Sequence, residues 1–298
     1  MHKNNQSSIF DQYQSKILNG KEIANSIYTQ IHHEIALFIN NGLRPPALAV
    51  ILVGENPASQ IYVTNKKNAC HRIGIKSLEY YLASNTSETT LLQLIERLNN
   101  DPNIDGILVQ LPLPPQLNSK IVIDNIAPSK DVDGFHRYNM GSLSLNSPII
   151  CPCTPHGIIY MLNSINYQYS GSNAVVIGAS NIVGRPMALE LLNNNATVTI
   201  CNSKTKNLIA HTKQADLIII AIGQPKFLKA HLVKPNSVII DVGINRLADG
   251  TLCGDADFDN LIEMVQYITP VPNGVGPMTI AMLLQNTLTC YKKHHKLA

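Results

Sequence analysis

Tyr62 and Lys66 stand four residues apart in the run Val53-Gly54-Glu55-Asn56-Pro57-Ala58-Ser59-Gln60-Ile61-Tyr62-Val63-Thr64-Asn65-Lys66. On a helix turning roughly 100° per residue, that spacing puts a phenol and an amine about 40° apart on one face. Facing one pocket, the pair would offer a flat aromatic surface beside a titratable proton carrier. Spacing alone fits an ordinary surface pair equally well. Gln110 ends the stretch Asp105–Gln110, read as a buried strand. In open α/β sheets ligands gather outside the carboxyl ends of strands, although a residue there also simply caps the strand. Lys130-Asp131-Val132-Asp133-Gly134 is a charged turn in a sparsely charged chain. The loop Tyr267–Thr279 carries Pro270, Pro272, Asn273, Gly274, Val275, Gly276 and Pro277. It is stiff and punctuated by glycine, fit to line a ligand or to serve as a hinge.

A second constellation concerns phosphate. The apolar run Asn173–Ile177 leads into Gly178-Ala179-Ser180-Asn181-Ile182-Val183-Gly184-Arg185-Pro186. Small residues at a strand-to-helix turn let backbone N–H groups approach a pyrophosphate at a helix N-terminus. The two glycines do not follow the usual G-x-G-x-x-G frame, so the string alone also fits a plain turn. NAD-binding folds carry an acidic residue for the ribose hydroxyls at the end of the next strand. Here that place reads Cys201-Asn202-Ser203-Lys204-Thr205, with no carboxylate. Hydroxyls, an amide and a cation suit an extra phosphate, and Arg185 adds a second cation. NADP is therefore expected over NAD; the other reading is a solvated polar turn.

The elements that must position these residues alternate between helix and strand, which predicts an α/β fold. Gly20–Ile39 reads as an amphipathic helix, with Ile23, Ile27, Ile31 and Ile35 on one face. Strands are predicted over Ala47–Val53, Leu78–Leu82 and Asp105–Gln110, with helices over Ser59–Arg72 and Thr89–Asn99. Pro128–Pro155, rich in Gly, Pro and Ser, reads as a linker between two domains. Thr154-Pro155 opens a helix to about Asn163. Strands then follow over Asn173–Ile177, Thr197–Cys201, Asp216–Ile222 and Ser237–Val242, with a helix over Met187–Asn193. A last helix, Pro277–Lys293, is expected to return to the first domain.

Composition narrows the function classes. The chain has 298 residues, 45% hydrophobic and 14% charged, which excludes a disordered chain and suggests two domains. The net charge of +3 gives no support for nucleic acid. The most strongly apolar run, near Leu217–Ile222, is far short of a membrane span. No apolar signal core follows Met1, so the expected location is cytoplasmic. Six cysteines are present. Only Cys151 and Cys153 lie close, without a second pair, so no metal is expected.

The longer strings resemble one family. Val53–Ser59 leading into Tyr62, Val63 and Lys66; Gly106–Pro114; Lys130–Phe135; Val175–Pro186; Asp241–Asn245; and Pro270–Thr279 together resemble the bifunctional methylenetetrahydrofolate dehydrogenase/cyclohydrolases. The resemblance runs from about Lys16 to Tyr291. It implies a folate-binding catalytic domain, residues 1–149 plus 277–298, and a Rossmann-like NADP-binding domain, residues 150–276, with a cleft between them. It implies that Tyr62 stacks on the folate and hydrogen-bonds toward Lys66. Lys66 would then be the central catalytic group, Gln110 would tune it, and Asp133 would anchor the pterin. Val109, Leu111 and the loop Pro270–Pro277 would contact folate. Gly178, Ala179, Ser180, Arg185, Ser203 and Ile244 would contact NADP. A homodimer is also implied.

Two reactions follow from that resemblance. 5,10-Methylenetetrahydrofolate gives a hydride to NADP⁺, and the resulting methenyl cation is hydrolysed to 10-formyltetrahydrofolate. Hydride transfer needs positioning. Hydrolysis needs proton movement, which points to Lys66, either neutral as acceptor or protonated to steady the adduct. The chain departs from the family at Asn68, where a lysine is common, at Asn202, where His is common, and at Asn273, where glycine is common. Asn tolerates the left-handed backbone better than most residues, so folate affinity is the property Asn273 bears on. Two other readings are a dehydrogenase with weak or lost hydrolysis and a non-catalytic NADP- or folate-binding regulator. The set Tyr62, Lys66, Gln110 and Asp133 argues against both.

Overall fold

A computed structural model describes residues 12–297. In chain order, its elements begin with α1 (Gly20–Asn40), β1 (Ala47–Val53), α2 (Pro57–Ile73), β2 (Lys76–Leu82), α3 (Glu88–Asn100), β3 (Gly106–Val109), α4 (Ser119–Asp124) and α5 (Arg137–Ser144). They continue with α6 (Cys153–Ser164), β4 (Asn173–Ile177), α7 (Gly184–Asn193), β5 (Thr197–Cys201), α8 (Leu208–Thr212), β6 (Leu217–Ile220) and β7 (Val238–Asp241). The last are β8 (Asn245–Arg246), β9 (Leu252–Cys253), α9 (Phe258–Leu261), β10 (Tyr267–Ile268) and α10 (Val275–His294). Packing divides the chain into two compact units. One ends at Ala24 and resumes over Thr154–Thr279; the other is Asn25–Cys153 plus the chain from Ile280 onward.

The second of these units is built on a parallel sheet of order β2-β1-β3. β1 is the run ALAVILV, buried at every position, as a central parallel strand covered on both faces must be. One face carries Ala49, Ile51, Val53, Ile107 and Val109 against Leu91, Leu94, Ile95 and Leu98 of α3. Ser87 caps α3 by accepting from Thr90 N. From Ile280 onward α10 is anchored in the same unit, with the Tyr291 hydroxyl donating to Arg44 O at 2.7 Å.

The stretch Pro128–Pro155, expected as a linker, is instead ordered within this unit as far as Cys153. Asp131 bridges to Ile107 in parallel fashion, and α5 follows. The buried Asp131 carboxylate accepts from Gly134 N, His136 N and Asn139 Nδ2. Asn286 Nδ2 donates to Val132 O and Cys151 O. These backbone groups are satisfied by side chains rather than by a ladder, so the segment carries no hydrophobic period to read.

The other unit holds a five-stranded parallel sheet of order β10-β7-β6-β4-β5. The sheet order reverses between β4 and β6, which makes the carboxyl ends of those two strands a topological switch point. β8 and β9 form a separate antiparallel pair beyond β7. Among the described residues, no helix is long and apolar enough to cross a membrane.

Candidate functional site

α2 fixes the amine. Asn56 caps it by accepting from Ser59 N, Pro57 occupies the first turn, and Gly74 ends it with φ 86°. Lys66 lies three turns in and is 9% exposed. Its Nζ donates to Gln110 Oε1 at 3.0 Å. Gln110 follows β3, with its backbone N–H donating to Ile51 O at 2.9 Å. Its side-chain Nε2 donates to Leu111 O at 2.7 Å. That bond commits the amide's donor end and leaves Oε1 facing the amine.

Asp133 joins the pair from the turn that Asp131 holds. Burial pushes its carboxyl up to about 6; the Lys66 charge pulls it back and Asp131 adds to the rise. Val109, Leu111 and Phe135 line a narrow apolar hollow with Asp131 and Asp133. One unit therefore gathers a buried amine, an amide that orients it and a half-buried carboxyl at the carboxyl edge of its sheet. Tyr62, one turn before Lys66, is 42% exposed. Among the described residues, Lys66 bonds to Gln110 and no hydrogen bond joins it to Tyr62. A separate cluster, Asp105 with His294 and His295, is an ion-pair site. Arg44 holds both Asp105 oxygens, at 2.7 and 2.9 Å.

The other unit's residues sit at its switch point. Gly178 has φ +118°, and a Cβ there would lie 2.3 Å from Ala221 O. A Cβ at Gly184 would lie 2.0 Å from Gly178 O. The turn and the start of α7 thus approach as closely as backbone allows. Ser180 Oγ accepts from Val183 N and Gly184 N at 3.1 and 3.4 Å. Arg185 is exposed and its Nε donates to Ala179 O. Ser203 and Lys204 are exposed after β5, and Ile244 is 49% exposed after β7. A glycine turn at a helix start, with exposed cations and no carboxylate over 201–206, fits a dinucleotide carrying an additional phosphate.

Asn273 takes φ +78°, the left-handed backbone expected of it, and its carbonyl accepts from Lys21 N at 3.1 Å. Val275, Gly276 and Pro277 open α10. Asp131, Asn139 and Asn286 escaped the sequence reading. The D-x-D-G spacing signals an Asx-type turn at Asp131, whereas Asn286 is seen only once α10 is placed.

Gly184→Ala is expected to lower stability by about 1–3 kcal/mol, as overpacking does, and to weaken dinucleotide binding. Thermal melting and an NADPH fluorescence titration check this. Parental values in both would show that the contact is not required.

Residues 18–133 match the family described as "Tetrahydrofolate dehydrogenase/cyclohydrolase, catalytic domain". Residues 152–295 match the one described as "Tetrahydrofolate dehydrogenase/cyclohydrolase, NAD(P)-binding domain". A relative named bifunctional protein FolD, from Neisseria gonorrhoeae, is 50% identical over 94% of this chain and 99% of its own. The solved structure of the bifunctional FolD enzyme of Campylobacter jejuni is 49% identical, covers 93% of this chain and 98% of its own, and superposes with a TM-score of 0.91. The Trypanosoma brucei enzyme, solved with NADP and an inhibitor, is 34% identical, covers 93% and 97%, and gives a TM-score of 0.90. With both halves matched and close relatives aligned over nearly their full length, the chain belongs to the bifunctional tetrahydrofolate dehydrogenase/cyclohydrolase family.

Proposed function

We propose that this chain oxidises 5,10-methylenetetrahydrofolate with NADP⁺ and then hydrolyses the 5,10-methenyl product to 10-formyltetrahydrofolate. The observation that carries the reading is the buried Lys66–Gln110 hydrogen bond with Asp133 beside it. The Gln110 amide oxygen accepts from the Lys66 amine and so fixes its direction within the site. Asp133 anchors the pterin by accepting from its N–H groups. Tyr62, exposed on the same face of α2, stacks on the folate ring system. Val109 and Leu111 supply apolar contact, and Pro270, Pro272, Asn273, Gly274, Val275, Gly276 and Pro277 add the folate-facing loop.

NADP⁺, when bound, supplies the acceptor for the hydride leaving the folate's one-carbon unit. The chain's own residues hold it. Gly178, Ala179 and Ser180 offer the pyrophosphate turn, Arg185 and Ser203 take the additional phosphate, and Ile244 gives apolar contact. In hydrolysis, Lys66 accepts a proton from the attacking water when neutral, or steadies the developing charge when protonated. The family relationship also supports a homodimer, to be checked on a sizing column, and a cytoplasmic location.

One coupled assay tests the whole reading. Purified protein with 5,10-methylenetetrahydrofolate is expected to generate NADPH much faster from NADP⁺ than NADH from NAD⁺, and added methenyltetrahydrofolate is expected to decay faster than in buffer. No NADPH formation would leave a folate-binding protein. NADPH formation without accelerated decay would leave a dehydrogenase alone.

A further inference from the structure

A buried carboxylate outside the reading above organises the nucleotide end of the five-stranded sheet. Asp255 is fully buried, 0% exposed. Its Oδ2 accepts from Ile222 N at 2.7 Å and Gly223 N at 2.9 Å, and its Oδ1 from Gln224 N at 2.8 Å. These are three consecutive backbone amides directly after β6, with Gly223 at φ +65°. Successive amides turned to one point form a concavity that binds anions; here the chain's own carboxylate fills it. Asp255 Oδ1 also accepts from Asn245 Nδ2 at 2.8 Å, which ties in the loop after β7. That loop approaches so closely that a Cβ on Gly243 would lie 2.2 Å from Asp255 Oδ1. Asp255 is itself fixed from behind, since its N–H and that of Ala256 donate to Asp241.

The consequence concerns where phosphate can bind. Two amide-rich turns stand at the switch point, one after β4 and one after β6. The second has its amides already satisfied, and Ala221 O from the same strand end faces Gly178. In the turn after β4, Gly178 N and Arg185 N donate to Cys201 O and Ser180 O, and Val183 N and Gly184 N to Ser180 Oγ, so among the described residues of the two turns the amides of Ala179–Ile182 are the ones an external phosphate can engage. The Asn245 contact meanwhile fixes the backbone next to Ile244, the apolar NADP contact.

We propose that Asp255 is a positioning residue for the dinucleotide. It occupies the anion concavity after β6, directs the pyrophosphate to the turn after β4, and locks the Ile244 loop against the β6 loop. The proposal rests on the NADP-dependent reading above and adds a residue to it; Asp255 touches neither folate nor the reacting atoms.

The test compares the parent, Asp255→Asn and Asn245→Ala. Asp255→Asn keeps the side-chain shape but turns an NH₂ toward backbone donors. The expected result is a rise in the NADP⁺ KM, and in the NADPH Kd by fluorescence, of about tenfold, or roughly 1.4 kcal/mol. The folate KM and the rate of methenyltetrahydrofolate hydrolysis without NADP⁺ are expected to stay within about twofold, since those groups lie on the other sheet. Asn245→Ala removes one hydrogen bond and should raise the NADP⁺ KM by about threefold. A lower melting temperature with an unchanged NADP⁺ KM in Asp255→Asn would reduce Asp255 to a core residue and overturn the proposal. If that variant does not fold, Asn245→Ala decides, and a parental NADP⁺ KM there overturns it. Failure of the underlying reading shows differently, as a parent that does not reduce NADP⁺.

Discussion

Lys66→Met is expected to slow methenyltetrahydrofolate hydrolysis by about 10²–10⁴-fold, the usual contribution of a positioned proton carrier. Methionine keeps the length and apolar stem of the side chain, so the packing around this buried position is disturbed little. What disappears is the amine that Gln110 Oε1 holds at 3.0 Å. Water attack on a methenyl cation forms a C–O bond and releases a proton, and ring opening delivers one to nitrogen. A titratable group at the reacting carbon serves both transfers, and a thioether serves neither. Oxidation should suffer less, because hydride transfer depends on alignment rather than on a base. Stopped-flow decay of methenyltetrahydrofolate, beside NADPH formation, measures both. A hydrolysis rate within a few-fold of the parent would remove Lys66 from the mechanism.

Asp133→Ala is expected to raise the folate KM by about 10–100-fold, since a hydrogen bond to a charged group is worth about 1.5–3 kcal/mol. The NADPH Kd should stay near the parental value, because the nucleotide residues belong to the other unit. The same carboxyl gives a pH dependence. Burial lifts it to about 6, against about 3.9 for an ordinary Asp. Below pH 6 the free enzyme carries Asp133 largely protonated and poorer as an acceptor, so the folate KM should climb as pH falls through 6. Stability runs the other way. A folded-state pKa above the unfolded one contributes stability that is complete below about pH 4 and is lost as pH rises through 6. Asp133→Asn should flatten both profiles. A folate KM unchanged in Asp133→Ala, or a parental KM flat across pH 5–7, would detach Asp133 from substrate binding.

Much of the scaffold was legible because its signals are local. The unbroken apolar run of β1 and the helical stretch Ser59–Arg72 with its Gly74 stop put Lys66 on a helix; the Asn56 cap and Pro57, seen in the structure, move its start to Pro57. The glycine turn after β4 and the missing carboxylate after β5 are likewise local. The boundary between the two units falls inside the predicted linker Pro128–Pro155, at Cys153 and Thr154, but the order of the residues before it was not legible because it comes from single side chains. Asp131, Asn139 and Asn286 satisfy backbone groups there without producing any period.

The amino-acid order by itself determined the α/β alternation, the helix face shared by Tyr62 and Lys66, and a nucleotide turn suited to an additional phosphate. Each depends on neighbours within a few residues, where spacing dictates direction. Folding decided the rest. It brought Gln110 to Lys66 across 44 residues and left Tyr62 exposed. It raised the Asp133 carboxyl by burial and inserted Asp255 into amides more than 30 positions earlier in the chain. Hydrogen bonds between distant segments, and the desolvation that shifts a carboxyl, exist only after the strands have paired and water has left.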